Sequence, residues 1–244
     1  MPKATSKDRQ ALATSPHRDL RRILADWPGT SLAARIVPGL AGRPQMQIRV
    51  ESGTGLVQLD VDGPPDTREG DVTWLRRLRN EQPESLTDDQ AAGLDREARL
   101  VARRYLGWFL MEEWNRVIRD TGHHLAAIDQ LRRLGPTPVV ADAMRWLPYA
   151  WMMRARAESA RSNAEGRSDE ALQILRSGIR RIKRHRASFG GGQQELAALR
   201  QAAAAVRRVV ERDPKRRLDR LIQRCVASER YERAAALRDR LIRG

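Results

Sequence analysis

Two short stretches of the chain alternate apolar and polar residues, and most of the sequence beyond them repeats at helical spacing. Met46, Ile48 and Val50 alternate with Gln45, Gln47 and Arg49, while Val57, Leu59 and Val61 alternate with Gln58 and Asp60. Period-two runs on either side of Glu51-Ser52-Gly53-Thr54-Gly55 predict a β-hairpin with one buried face. Ala34 to Val37 offers a third strand, and Gly63-Pro64-Pro65-Asp66 closes the sheet. Ahead of it, Leu20, Ile23 and Leu24 share one face of a short helix over 18–26, stopped at Trp27-Pro28-Gly29. Residues 1–17 read as a disordered arm.

From Thr87 the period is 3.6. Thr87-Asp88-Asp89-Gln90 is a capping-box pattern, followed by Leu94, Ala98, Val101, Tyr105, Trp108 and Phe109. Further helices are expected from about Glu112 to Leu134, from Val139 to Ala164 with a kink at Pro148, and from Asp169 to Ser188 capped by Ser168-Asp169-Glu170. Gly190-Gly191-Gly192 reads as a linker. It leads to an Ala/Arg-rich helix over Gln193–Arg212, and Asp213-Pro214 restarts the chain as a further helix. The expected fold class is α+β, mainly helical. Its parts are the arm 1–17, an α/β meander region 18–86, a helical-hairpin domain 87–189, a linker and basic helix 190–213, and a C-terminal hairpin 214–244. A weak repeat links the segments beginning Met111-Glu112-Glu113, Glu165-Gly166-Arg167 and Ser228-Glu229-Arg230. It predicts stacked, tetratricopeptide-like helical hairpins.

Charge changes this picture by dividing the chain. The net +15 is almost all C-terminal: residues 1–153 carry +2 and residues 154–244 carry +13. Arg176, Arg180, Lys183 and Arg184 mostly share one helical face, and Arg207, Arg208, Lys215 and Arg216 lie further along the chain. Such faces are either solvated surface or sites for a polyanion such as nucleic acid or ribosome. Only four of the 46 basic residues are Lys, an Arg bias that composition alone can produce.

Candidate chemistry is sparse. His123-His124 lies near Asp120 and Asp129, but adjacent histidines on a helix diverge by about 100° and favour a structural reading. Asp60, Asp62, Asp66, Glu69 and Asp71 read as a solvated acidic loop. The lone Cys225 reads as a small buried hydrophobe, and Trp108, Trp114, Trp146 and Trp151 as core. No nucleophile–base pair and no G-x-x-x-x-G-K-[ST] phosphate loop declares itself. The expectation is a non-enzymatic, cytoplasmic protein, without cofactor, metal site, secretory signal or membrane span.

One motif carries a named function. Leu218, Ile222 and Cys225 precede a turn, and Tyr231-Glu232-Arg233-Ala234-Ala235-Ala236-Leu237-Arg238-Asp239-Arg240-Leu241 comes after it. This run resembles the UVR motif, the helical hairpin shared by UvrB, UvrC and several bacterial adaptor proteins. Ile222 stands at the motif's methionine place and Cys225 at its alanine. The resemblance implies a hairpin that clasps a protein partner, with Leu218, Ile222, Tyr231, Glu232, Ala235, Arg238 and Asp239 as binding residues. It also implies a link to DNA repair or stress response. Asp26-Trp27-Pro28 and Arg119-Asp120-Thr121-Gly122-His123-His124-Leu125 are further similar to bacterial proteins that end in this motif and have no assigned activity.

Overall fold

The computed structural model describes Trp27 and residues 32–39, 43–49, 55–66, 72–212 and 214–243, excluding the side chains of 212, 214–217, 219, 220 and 241–243. The expected arm, the helix over 18–26 and Val50 lie outside the described residues.

Strands β1 (Ala33–Pro38), β2 (Pro44–Arg49) and β3 (Leu56–Asp60) form an antiparallel meander in that order. Ile48 pairs with Ala34 and Val57, and Met46 with Leu59. Alternation therefore gathers Met46, Ile48 and Leu59 on one buried face. The other face is a ladder of amides. Buried Gln47 accepts from Arg35 Nε at 3.0 Å and donates to Gln58 at 3.0 Å, and Gln45 donates to Asp60 at 3.3 Å. Arg35 also lies 4.4 Å over the buried ring of Trp27. Mutual hydrogen bonding is what allows a polar face to be covered.

The remaining elements are helices. The first, α1 (Trp74–Glu81), falls where the sequence pattern predicts none. It is short, and its start is held both by the Thr73 hydroxyl, which accepts from the Arg76 amide at 3.2 Å, and by a distant residue. Glu97 of α2 (Asp88–Leu110) is buried and accepts from the Trp74 and Leu75 amides at 2.5 and 3.3 Å. A carboxylate there satisfies amides that have no partner within the helix and complements its dipole. The Thr87–Gln90 capping box of α2 forms, with bonds of 3.2 and 3.0 Å. Next comes α3 (Trp114–Leu134).

The single helix expected over 139–164 is instead two, α4 (Thr137–Arg145) and α5 (Leu147–Ala164). The break is at Trp146, not a kink at Pro148. Pro148 is the second residue of α5, where a missing N–H costs nothing. In α6 (Ser168–Phe189) Ser168 is not the expected cap; its hydroxyl donates to Asn163 at 2.9 Å. The Gly190–Gly192 run is a turn of three left-handed residues (φ 75, 68 and 73°). It returns α7 (Gln193–Arg212) onto the preceding helices, where Leu196, Leu199 and Ala203 enter the core. Last are α8 (Pro214–Ala227) and α9 (Tyr231–Arg243).

Two clusters make the core. The larger joins the sheet face to α2, α5, α6 and α7 through residues such as Met46, Tyr105, Trp108, Met153, Leu175 and Leu199. The smaller packs Leu75 and Leu78 of α1 on Leu94, Ile128 and Leu131. Gly107 sets the sheet-to-helix distance: a Cβ there would lie 2.1 Å from Met46 Sδ.

The weak sequence repeat has a common geometry. The pairs α2–α3, α5–α6 and α8–α9 are hairpins joined by the same turn, with Glu112, Gly166 and Glu229 in the left-handed region (φ 60, 77 and 57°). In each, the next amide bonds back to Trp108, Ser162 or Cys225 at 3.0, 2.8 and 2.8 Å. The left-handed residue itself bonds to Phe109, Asn163 or Val226 at 3.2, 3.1 and 3.0 Å. This is the Schellman pattern, which satisfies the last carbonyls of the first helix while reversing the chain. On the two sides of each turn, buried residues occupy the same relative positions: Trp108 and Val117, Ser162 and Ala171, Cys225 and Ala234.

Candidate functional site

The three hairpins share a turn but differ in what covers them. At matching distances before the left-handed residue, α2 carries Val101 and Tyr105 and α5 carries Ala155 and Ser159, all buried. The corresponding residues of α8, Leu218 and Ile222, are only half-buried. After the turn, Thr121 and Leu175 are fully buried, whereas Arg238 in the same place is exposed. Around this open seam Leu221, Val226 and Tyr231 are exposed, Tyr231 at 63%. Ala235, Glu232 and Asp239 face solvent. Neither Arg238 nor Asp239 has an ion-pair partner among the described residues.

Cys225 and Ala234 are the buried side chains of the hairpin among the described residues, and neither belongs to the two core clusters. Cys225 is thus the buried small residue that the sequence suggests. The hairpin joins the rest of the protein where α8 packs on α7. Ser228 secures the turn by donating to the Arg224 carbonyl at 2.8 Å.

The basic residues fall into two places. Arg176, Arg180, Lys183 and Arg184 are exposed on α6, and none has an acidic partner among the described residues. The acids of that helix, Asp169 and Glu170, sit in its first turn. Arg207 and Arg208 are exposed on α7, where Arg208 donates to the Ala204 carbonyl at 3.4 Å. The side chains of Lys215 and Arg216 lie outside the described residues.

Of the acidic stretch read as a solvated loop, Glu69 and Asp71 lie outside the described residues and Asp62 is exposed, whereas its first part is fastened down. Asp60 is buried, and the loop is held by arginines from two helices. Arg104 binds Asp120 twice, at 2.7 and 3.1 Å, and donates to the carbonyls of Asp60 and Gly63 at 3.2 and 2.9 Å. Arg119 bridges Asp62 at 2.7 Å, Asp120 at 2.9 Å and the Val61 carbonyl at 3.1 Å. The Arg119 hydrogen bond holds the Asp62 carboxyl below its ordinary range. Beside this network His123 donates to Glu97 at 2.7 Å, and His124 shares a 3.2 Å bond with Tyr105. Burial lowers the His124 imidazole to about 4, and His123 adds to this. These histidines fasten helices, and no cluster of three metal-binding side chains occurs among the described residues.

Of the tryptophans expected in the core, Trp108 is buried, Trp114 and Trp151 are half-buried, and Trp146 is exposed. Trp146 escapes burial because it stands at the α4–α5 break. Sequence reasoning also passes over Phe189, an aromatic left 67% exposed at the end of α6. Its signal is an aromatic residue directly before three glycines.

The C-terminal hairpin is the least covered of the three, and the family match falls on it. A family model described as the UvrB/uvrC motif matches residues 214–243, the span of α8 and α9. The C-terminal hairpin therefore carries a UVR motif. No curated protein and no solved structure matches the chain. No helix among the described residues is long and apolar enough to cross a membrane.

Proposed function

We propose that this is a non-enzymatic adaptor that binds a protein partner through its C-terminal UVR hairpin. The observation that carries this reading is the uncovered seam. Positions that the two inner hairpins bury are half-buried or exposed at Leu218, Ile222 and Arg238. A hairpin of two short helices buries too little surface to prefer isolation, and a partner with an apolar helical face would complete the packing. The motif supports a role in protein interaction or DNA repair, and a cytoplasmic setting suits both. Affinity capture with the full-length chain from nuclease-treated cells tests this. A partner retained by the wild type and lost by Tyr231→Ala with Arg238→Ala supports the proposal. Equal recovery by both would defeat it.

A second reading is favoured by α6, where Arg176, Arg180, Lys183 and Arg184 are exposed without acidic partners. Such a face suits a polyanion, nucleic acid or ribosome included, with affinity that falls steeply as salt rises.

A further inference from the structure

Two hollows lie along α6, one against α5 with Trp151 in its wall, the other against α4 and the Gly190–Gly192 turn with His185 in its wall. The first, of about 340 Å³, is lined by Trp151, Arg154, Ser177, Arg181 and Arg184. Its floor is set by the close approach of Gly178 to Ala155, where an added Cβ would sit 3.0 Å from the alanine. The second, of about 570 Å³, is mostly apolar and runs past Met144 and Pro148 to Phe189. A row of rings connects them. Trp151 meets His185 edge-on at 5.4 Å, and His185 stacks on Phe189 at 4.9 Å. Arg181 lies 5.1 Å over the Trp151 ring. Arg154 is paired with Glu158 at 2.8 Å, whereas Arg181 and Arg184 have no acidic partner among the described residues.

We propose that this α5–α6 groove binds single-stranded nucleic acid, with phosphates on Arg181 and Arg184 and a base stacked on Phe189. The charge and the rings supply different things. Unpaired arginines along a groove attract a polyanion, and successive aromatic faces accept bases of any sequence. Hollows of this size lie in the range of small-ligand pockets, which suits single phosphates and bases rather than a duplex. The exposure of Phe189, beside its ring contact to His185, leaves one aromatic face free. The proposal is independent of the hairpin as a protein-docking surface. It rests on the polyanion reading of α6 and narrows it to one side of that helix.

The test is fluorescence anisotropy of the full-length protein with labelled oligo-dT and oligo-rU, titrated at several salt concentrations. Phe189→Ala, at an exposed helix end, should weaken binding by about 5- to 150-fold, the range of one lost stacking contact, with the salt slope unchanged. Arg181→Gln with Arg184→Gln should reduce the slope of log K against log salt by about 1.4. Arg176→Gln with Arg180→Gln and Lys183→Gln serves as the outer-face control. Loss with the control and none with the groove variants would keep the polyanion reading and overturn the groove. Absence of binding at low salt would overturn both. Equal competition by poly-glutamate would show an acidic-peptide site and overturn the nucleic-acid assignment.

Discussion

Replacing Asp120 by Asn should be among the most damaging single changes available in this protein, although it alters only one polar group. The Asp120 carboxylate takes two bonds from Arg104, at 2.7 and 3.1 Å, and one from Arg119 at 2.9 Å. The Arg104 and Asp120 side chains are 5% and 1% exposed, so water cannot replace a lost partner. Asparagine would turn an N–H₂ toward an arginine N–H and leave the guanidinium without its counter-charge. Breaking a buried pair from one side costs about 3–5 kcal/mol. For a chain of this size, that lowers Tm by roughly 6–20 °C. Arg104 also holds the Asp60 and Gly63 carbonyls, so part of the effect should be a loosened sheet. Urea unfolding followed by circular dichroism gives the magnitude, with Asp142→Asn as the control. That residue pairs with Arg145 on the surface of α4, and its loss should cost no more than about 0.5 kcal/mol. An Asp120→Asn protein within about 1 kcal/mol of the wild type, close to the control's range, would refute the view that this network fastens sheet to helices.

Further outcomes rest on the same structure. Burial lowers His124 to about 4 from an ordinary 6.5, so the unfolded chain binds the proton first. Its contribution is complete above pH 6.5 and is lost as pH falls toward 4, about 3 kcal/mol in total. His124→Gln should flatten stability against pH in that window. Gly166 holds a left-handed turn (φ 77°), and Gly166→Ala should cost about 1 kcal/mol by thermal melting. Glu112 holds the same turn at φ 60° with a side chain, so Glu112→Gly should stabilise by about 0.5 kcal/mol, the left-handed strain relieved less the entropy glycine adds. Gly107→Ala should destabilise by about 1–3 kcal/mol, because the added methyl meets Met46 Sδ.

Much of the fold is legible in the sequence because it obeys local rules. Period-two alternation locates β2 and β3, the Thr87–Gln90 box locates the start of α2, and the repeated segments locate the hairpin turns. The features that escape depend on residues far apart in the chain. Helix α1 has a readable Thr73 cap and Leu75–Leu78 spacing, but its first amides are satisfied by Glu97 of the next helix, a partner the local sequence does not show. Asp60 and Asp62 look like a wet loop because their arginines, Arg104 and Arg119, lie more than forty residues away. The α4–α5 break reads as a proline kink because Pro148 is visible in sequence and the Trp146 boundary is not. For the candidate site, the motif points to the hairpin and its turn. Which of its residues are left uncovered becomes clear only by comparison with the two inner hairpins.

The α8–α9 hairpin is proposed as a protein-docking surface. The most direct measurement places a photo-crosslinking amino acid at Tyr231 of the full-length chain in living cells. A docked protein partner should give a crosslinked species that resists nuclease, is cut by protease, and disappears when Ile222→Asp removes the apolar seam. A crosslink lost on nuclease treatment, or none above that of the exposed control position Arg200, would contradict it.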